Sequence, residues 1–330
     1  MAVLVTGATG FVGLNIVRAL AARGQGVVLF APQLPASLAE LAWLRPLRFV
    51  AGDVRSSADL ARAFAAAAIT HVVHAAALTP DEAAERRDPR AVADINLLET
   101  IQVFQAAHQA RVARLLHLSS VAVYGAPTGP DLLDEAISPP APTSLYGITK
   151  LAAEQTVRRL AALHGTDAMI VRLGPCFGRF EHPTGARVVM SPHWQIVEHA
   201  LAGGEALLPR ALAADWLDAA TAGRAIADLL VIPPGAPALL NLGAGAVTTA
   251  AAWCEEVKQC VPGFRWRIDA ERSNVRITLA GDRPALGVTR LHAAIGWHPA
   301  EAGLATAAAD YLAWRRSAEG AALMAPSGAA

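Results

Sequence analysis

Tyr146 and Lys150 stand four residues apart, a spacing that puts both side chains on one face of a helix. Together they can handle a proton. A tyrosine ionises at about pH 10 and is a poor base at neutral pH. A lysine cation one turn away favours the phenolate and brings it into use. Hydride transfer at a carbinol carbon needs such a group to take up or return the hydroxyl proton. A third residue fits the same chemistry: Ser120, in His117-Leu-Ser-Ser-Val-Ala-Val-Tyr-Gly125, supplies a hydroxyl to orient the reacting oxygen. It closes a strand-like run, and ligands of open α/β sheets bind at strand ends.

A second constellation lies at the start of the chain. Gly7-Ala8-Thr9-Gly10-Phe11-Val12-Gly13 follows an apolar run and opens a helical pattern. Gly7 permits a tight turn, Gly10 lets a pyrophosphate reach the backbone, and Gly13 lets the helix pack on the strand. The free N–H groups and positive dipole end of the helix then face the phosphates.

Both constellations need a frame that brings strand ends to one edge. Short β-branched runs alternate with helical patterns through the first half. The strands are expected at Ala2–Val5, Gly26–Phe30, Leu47–Ala51, His71–Ala75, Leu115–Ser119 and Ala168–Leu173. Helices are expected at Phe11–Arg23, Ser57–Ala67, Pro89–Gln109 and Leu145–Leu163. Continuous apolar strands alternating with helices predict an α/β, doubly wound parallel sheet of Rossmann type. After Gly174 the rhythm breaks at Pro175, Pro183, Pro192, Pro209, Pro233, Pro234 and Pro237. Residues 1–174 are therefore expected to bind a dinucleotide and carry the catalytic residues. Residues 175–316 are expected to form a smaller substrate-binding lobe with elements returning to the sheet, such as a strand at Leu239–Leu242 and a helix at Ala302–Arg315. Residues 317–330 are expected to be a flexible tail.

The segments TGATGFVG, SSVAVYG and YGITK, with LAAE downstream, resemble the short-chain dehydrogenase/reductase family in its extended branch, the NAD-dependent epimerase/dehydratase group. Asn241-Leu-Gly-Ala-Gly245 and Ile295-Gly-Trp-His-Pro299 are similar to later segments of that group. The resemblance implies an oxidoreductase or epimerase with Ser120, Tyr146 and Lys150 as catalytic residues. Asn96 would help build the proton-relay side. It also implies NAD or NADP over Gly7, Gly10, Phe11, Val12, Gly13, Tyr146 and Lys150. Asp53 and Val54 would meet the adenine, and Ala75 and Ala76 would lie under the cofactor. Ala31 stands where the family usually places an aspartate, leaving NAD against NADP open; the family group favours NAD. A homodimer through the helices containing Asn96 and Tyr146 is implied as well.

Dehydratases of this family resemble T-D-E-V-Y-G at the serine segment. Here Val121 and Ala122 replace both acids, so redox chemistry remains: net dehydrogenation or reduction, or inversion of a centre. Nucleotide-sugar members resemble R-L-G-N-V-Y-G-P, whereas Arg172-Leu-Gly-Pro175 carries proline for asparagine. The expected substrate is therefore a small sugar-like molecule bearing one acidic group, with Arg179, Arg187 and Arg210 as anion holders. A UDP-sugar epimerase is the alternative. A non-catalytic cofactor-binding protein is the reading from another class.

Composition closes other routes. The 330 residues are 54% hydrophobic, and 28 basic side chains balance 28 acidic ones. Such a balance, without basic runs, gives no footprint for nucleic acid. No apolar run reaches the roughly 18–20 residues of a membrane span. Three scattered cysteines and an N-terminus without a basic leader are expected of a cytoplasmic protein. The histidines form no metal-binding pattern, so no metal is expected.

Overall fold

The computed structural model describes residues 1–126, 132–234, 238–279, 281–298 and 303–324. Pro237, Pro299, Ala302 and the tail residues 325–330 lie outside the described residues. A seven-stranded sheet is built from β1 (Ala2–Thr6), β2 (Gly26–Ala31), β3 (Arg48–Ala51), β4 (His71–His74), β5 (Arg114–Ser120), β6 (Ala168–Leu173) and β7 (Leu239–Leu242). The order across the sheet is β7-β6-β5-β4-β1-β2-β3, and every pairing is parallel. The chain winds outward from β1 to β3, then crosses back to β4 on the other side. The crevice above β1 and β4 is therefore a topological switch point, where such sheets hold ligands.

The strands are apolar throughout because helices cover both faces. Val3, Leu4, Val5, Val72, Val73 and Leu116 are wholly buried. Helix α1 (Phe11–Ala22) buries Leu14, Ile16, Val17 and Leu20, each contributing about 1.5–3 kcal/mol of hydrophobic stabilisation. Behind α1 lies α4 (Ala219–Leu229). Its Gly223 approaches so closely that a Cβ there would stand 2.5 Å from the Asn15 carbonyl oxygen. The helical stretch Pro89–Gln109 is continuous, but Asp94–Leu98 is a π-turn leading into α2 (Glu99–Gln109). Helix α3 (Leu145–His164) starts where Ser144 accepts a hydrogen bond from Gly147 N and ends at Gly165, left-handed at φ +64°.

The second half adds short ladders. Cys176–Phe177 pairs with Leu217–Asp218, Glu205–Leu208 with Arg265–Ile268, and Leu132–Leu133 with Ala285–Leu286. Its strand β7 joins the main sheet beside β6. Helix α5 (Leu304–Arg316) follows.

The tail expectation is corrected in part. Ala318–Met324 forms a further helix, α6, with Gly320 and Leu323 buried. Ser317 starts it by accepting from Gly320 N, and Glu319 accepts from the Trp43 and Trp314 indoles and from Arg18. Four groups from three parts of the chain thus hold a segment that composition alone marks as featureless. Among the described residues, no helix is long and apolar enough to cross a membrane.

Candidate active site

A cleft of about 960 Å³ opens at the carboxyl ends of β1, β4, β5 and β6. Gly7, Gly10, Phe11, Val12, Gly13, Ala75, Ser120, Tyr146, Lys150 and Arg187 all line it. Residues from five separate stretches of sequence are thereby brought to one cavity.

At one end is the glycine turn. Gly7 has φ +66°, a left-handed conformation, and a Cβ there would stand 2.7 Å from Ala76 N. A Cβ on Gly13 would stand 2.1 Å from the Gly7 carbonyl oxygen, so only glycine lets α1 sit this close to the turn. Gly10 has an ordinary extended backbone; its lack of a side chain keeps the space in front of α1 open. That helix begins without any side-chain cap and without an acid in its first turn. Its leading N–H groups and dipole therefore present an unneutralised positive end to the cleft. The cradle fits a dinucleotide pyrophosphate.

The catalytic candidates meet at the junction of β5 and α3. Ser120 ends β5 and accepts from Ala122 N at 3.1 Å, which leaves its hydroxyl hydrogen free to donate. Gly147 explains how Tyr146 comes to it. A Cβ at Gly147 would stand 2.6 Å from the Ala122 carbonyl oxygen, so glycine lets the start of α3 press against the Val121–Tyr124 turn. Glu85 caps the same helix end by accepting from Tyr146 N. Burial pushes the Tyr146 phenol above the ordinary tyrosine range. The hydroxyls of Ser120 and Thr79 and the charge of Arg187 pull it down. Lys150 is 2% exposed, and its Nζ donates to the Leu118 carbonyl at 2.8 Å. Burial lowers it from 10.5 to about 8, with Glu154 opposing. It remains a cation at neutral pH, one helical turn after Tyr146, and it is not among the groups that shift the phenol.

A buried network braces this wall. Glu154 and Arg172 form an ion pair at 2.7 Å, almost wholly out of water, and Ser119 donates to the same carboxylate. The Arg172 guanidinium lies over the Tyr124 ring, whose hydroxyl donates to Asn241 on β7. A second network sets His74. Thr100 gives its hydrogen to the Asn96 carbonyl, so His74 Nε2 must donate to Thr100, and Nδ1 accepts from Thr6. Burial drives His74 down to about 3, so the ring is neutral and structural.

Other expected residues fall outside the cleft lining. Asn96 spends its amide on both backbone groups of Leu78, at 2.9 Å each, so it shapes the cleft wall. Asp53 is clasped by Arg55 at 2.6 Å, which holds its carboxyl below the usual range. Asp53 and Val54 follow β3 and do not line the cavity, whereas Ala76 sits between Ala75 and Ala77, which do, with its backbone against Gly7. The three expected substrate arginines are placed differently from one another. Arg179 does not line the cleft, and Arg210 turns to Asp282 and the Leu279 carbonyl. Arg187 does line it, with its guanidinium 3.0 Å from the fully buried Glu181. Sequence reasoning missed Thr79, which bridges to Arg187 beside Tyr146, and Arg283 on the lobe wall. Thr79, at the end of the small-residue run after β4, had a signal in its position.

Comparison with known proteins follows from this geometry. Residues 3–230 match the family model described as NAD dependent epimerase/dehydratase family. A 2'-dehydrokanamycin reductase of Streptomyces kanamyceticus is 35% identical over 232 residues, covering 69% of this chain and 57% of that protein. A dTDP-6-deoxy-L-talose 4-dehydrogenase (NAD(P)(+)) of Kitasatospora kifunensis is 30% identical over 260 residues, 75% of each. For the first relatives matched, the alignment spans about half of their length: 53%, 57% and 44%. Among solved structures, a UDP-glucose 4-epimerase from Stenotrophomonas maltophila with bound NAD and formylated UDP-arabinopyranose superposes with TM-score 0.82. It is 23% identical and covers 96% of this chain and 98% of its own. That likeness concerns the fold.

Proposed function

The chain belongs to the NAD-dependent epimerase/dehydratase family, and on that premise we propose that it binds NAD in the cleft and catalyses hydride transfer at a carbinol carbon of a sugar-like, anionic substrate. Gly7, Gly10 and Gly13 leave the cradle for the pyrophosphate, with Phe11, Val12, Ala75, Tyr146 and Lys150 around the remainder. Bound there, NAD supplies a hydride acceptor. Its presence in solved neighbours such as the Stenotrophomonas epimerase supports NAD over NADP, and Ala31 offers no group to either ribose.

The single observation that carries this reading is the meeting of Tyr146, Ser120 and Lys150 on one wall of the cleft that the glycine turn opens. Ser120 donates to the substrate oxygen and orients it. Tyr146 takes the hydroxyl proton as the carbinol is oxidised and returns it on reduction. Lys150 supplies positive charge one helical turn after Tyr146, lining the same cleft. Val121 and Ala122 line the cleft without an acid, which supports redox chemistry over elimination of water.

The test is kinetic. Aldonates, sugar phosphates and UDP-sugars are offered with NAD, following nicotinamide absorbance and product stereochemistry. Tyr146→Phe should fold, bind NAD and lose nearly all turnover; near-normal turnover in that variant would sink the assignment. Epimerisation of a UDP-sugar without net absorbance change is the second reading, favoured by likeness to a UDP-glucose 4-epimerase of Streptomyces lividans, 29% identical over 202 residues.

Two further readings belong here. Leu98 and Ile148, on the two helical stretches carrying Asn96 and Tyr146, are 49% and 48% exposed, which supports a homodimer through those faces. Cys176, Cys254 and Cys260 are unpaired thiols, in keeping with a reducing, cytoplasmic setting.

A further inference from the structure

Three arginines of the second half line the cleft, and what each is paired with separates them. Arg187 is tied to Glu181, and its Nε donates to the Val189 carbonyl. Arg276 is 3.3 Å from Asp81 across the cleft mouth. Arg283 has no carboxylate within 4 Å among the described residues. Its neighbour Asp282 is engaged by Arg210 and by Ala213 N.

Among the described residues, one hydrogen bond holds the Arg283 guanidinium, from Nη1 to the Val121 carbonyl at 3.1 Å. Val121 follows Ser120, so this cation is fastened one residue from the proposed oxygen-orienting hydroxyl. The guanidinium carries five N–H donors. One is spent on Val121, and among the described residues the rest of the planar fork has no partner within the cleft. Burial without a counter-charge disfavours the cation, and no other influence opposes it. A half-buried, unneutralised guanidinium is costly unless something anionic meets it. The acids that line the cleft are engaged elsewhere: Glu181 by Arg187, Asp81 by Arg276, Glu82 by Arg86 and Glu85 by Tyr146 N.

We propose that Arg283 is a substrate-binding residue that grips an oxyanion, a carboxylate or phosphate group placed a few bonds from the reacting carbinol. Its planar fork suits two oxygens of one such group, and its position beside Ser120 ties that group to the reacting carbon. This rests on the reading of the cleft as a hydride-transfer site. It deepens that reading by requiring a charged substrate and naming the residue that selects it.

The test is calorimetric, on the full chain, with and without NAD. The probes are inorganic phosphate, glucose 6-phosphate, glucuronate and UDP-glucose, with glucose as the neutral control. At least one anionic probe should bind about 10- to 100-fold more tightly than glucose. Arg283→Gln should erase that preference while leaving NAD affinity and the unfolding temperature near wild type. Arg283→Lys, which keeps the charge and loses the fork, should retain part of it. Tightest binding of glucuronate marks a carboxylate, of glucose 6-phosphate a phosphate monoester, and of UDP-glucose a diphosphate. The proposal is overturned if every anion binds like glucose, or if the preference survives in Arg283→Gln. Either result leaves the Tyr146 assignment standing. Failure to bind NAD would instead strike the hydride-transfer reading, and titrations without NAD would still decide the role of Arg283.

Discussion

Replacing Lys150 by methionine should make the protein inactive and more stable. Lys150 is 2% exposed, and burial brings its ammonium from 10.5 to about 8. At about 1.4 kcal/mol per pH unit, that lowering corresponds to about 3 kcal/mol lost by the folded state at neutral pH. Methionine has a similar length and no charge to desolvate. Against this gain stands the bond from Nζ to the Leu118 carbonyl, whose loss costs about 1–2 kcal/mol. The net at pH 7 is a gain of about 1–2 kcal/mol. The sign has a pH signature. Below about 8 the lysine is charged in both states and the penalty is complete. Between about 8 and 10.5 the folded lysine loses its proton while the unfolded one keeps it, so wild type gains stability as pH rises. Above 10.5 the penalty is gone, and the advantage of the variant should vanish or reverse. Urea unfolding of both proteins at pH 7 and at alkaline pH measures this, and NAD-dependent turnover is followed alongside. A variant less stable than wild type at pH 7 by more than about 1 kcal/mol, with a gap that does not change with pH, would refute the reasoning.

Gly13→Ala forces a methyl group into the Gly7 carbonyl and should abolish NAD binding by calorimetry, with about 1–3 kcal/mol lost in unfolding. Glu154→Gln strands the Arg172 cation, 3% exposed on its side chain, and should lower stability by about 3–5 kcal/mol in denaturant titration. Light scattering at micromolar concentration should give twice the mass of the 330-residue chain; a charged residue at Ile148 should then release monomers.

Features that depend on local backbone geometry were readable in the sequence. The strand positions followed from apolar runs, and β6 and β7 fall on the expected residues. The glycine spacing and the Tyr146–Lys150 spacing encode contacts within one turn or one helix, so their clustering in one cleft was foreseeable. What a side chain is paired with was not readable. Arg187, Arg210 and Arg283 look alike as letters. Their roles depend on whether Glu181, Asp282 or no acid stands opposite, which only the folded arrangement decides. The letter N at position 96 gives no hint that its amide meets the Leu78 backbone from a π-turn. Glu319 finds Trp43 across 276 positions, a distance over which periodicity carries no information.

Strand β7 has a consequence for how the chain is made. The edge of β6 pairs with Leu239–Leu242, contributed from the second half. During synthesis the catalytic residues and six strands emerge first, and the backbone groups of Ala168–Leu173 face outward without a neighbour until the ribosome has delivered residue 242. The Tyr124–Asn241 bond forms only then. A fragment ending near residue 174 would leave an adhesive edge next to the wall that holds Tyr146. The nascent protein therefore has a window in which it is open to mispairing and to holding chaperones, and the window closes when the second half arrives.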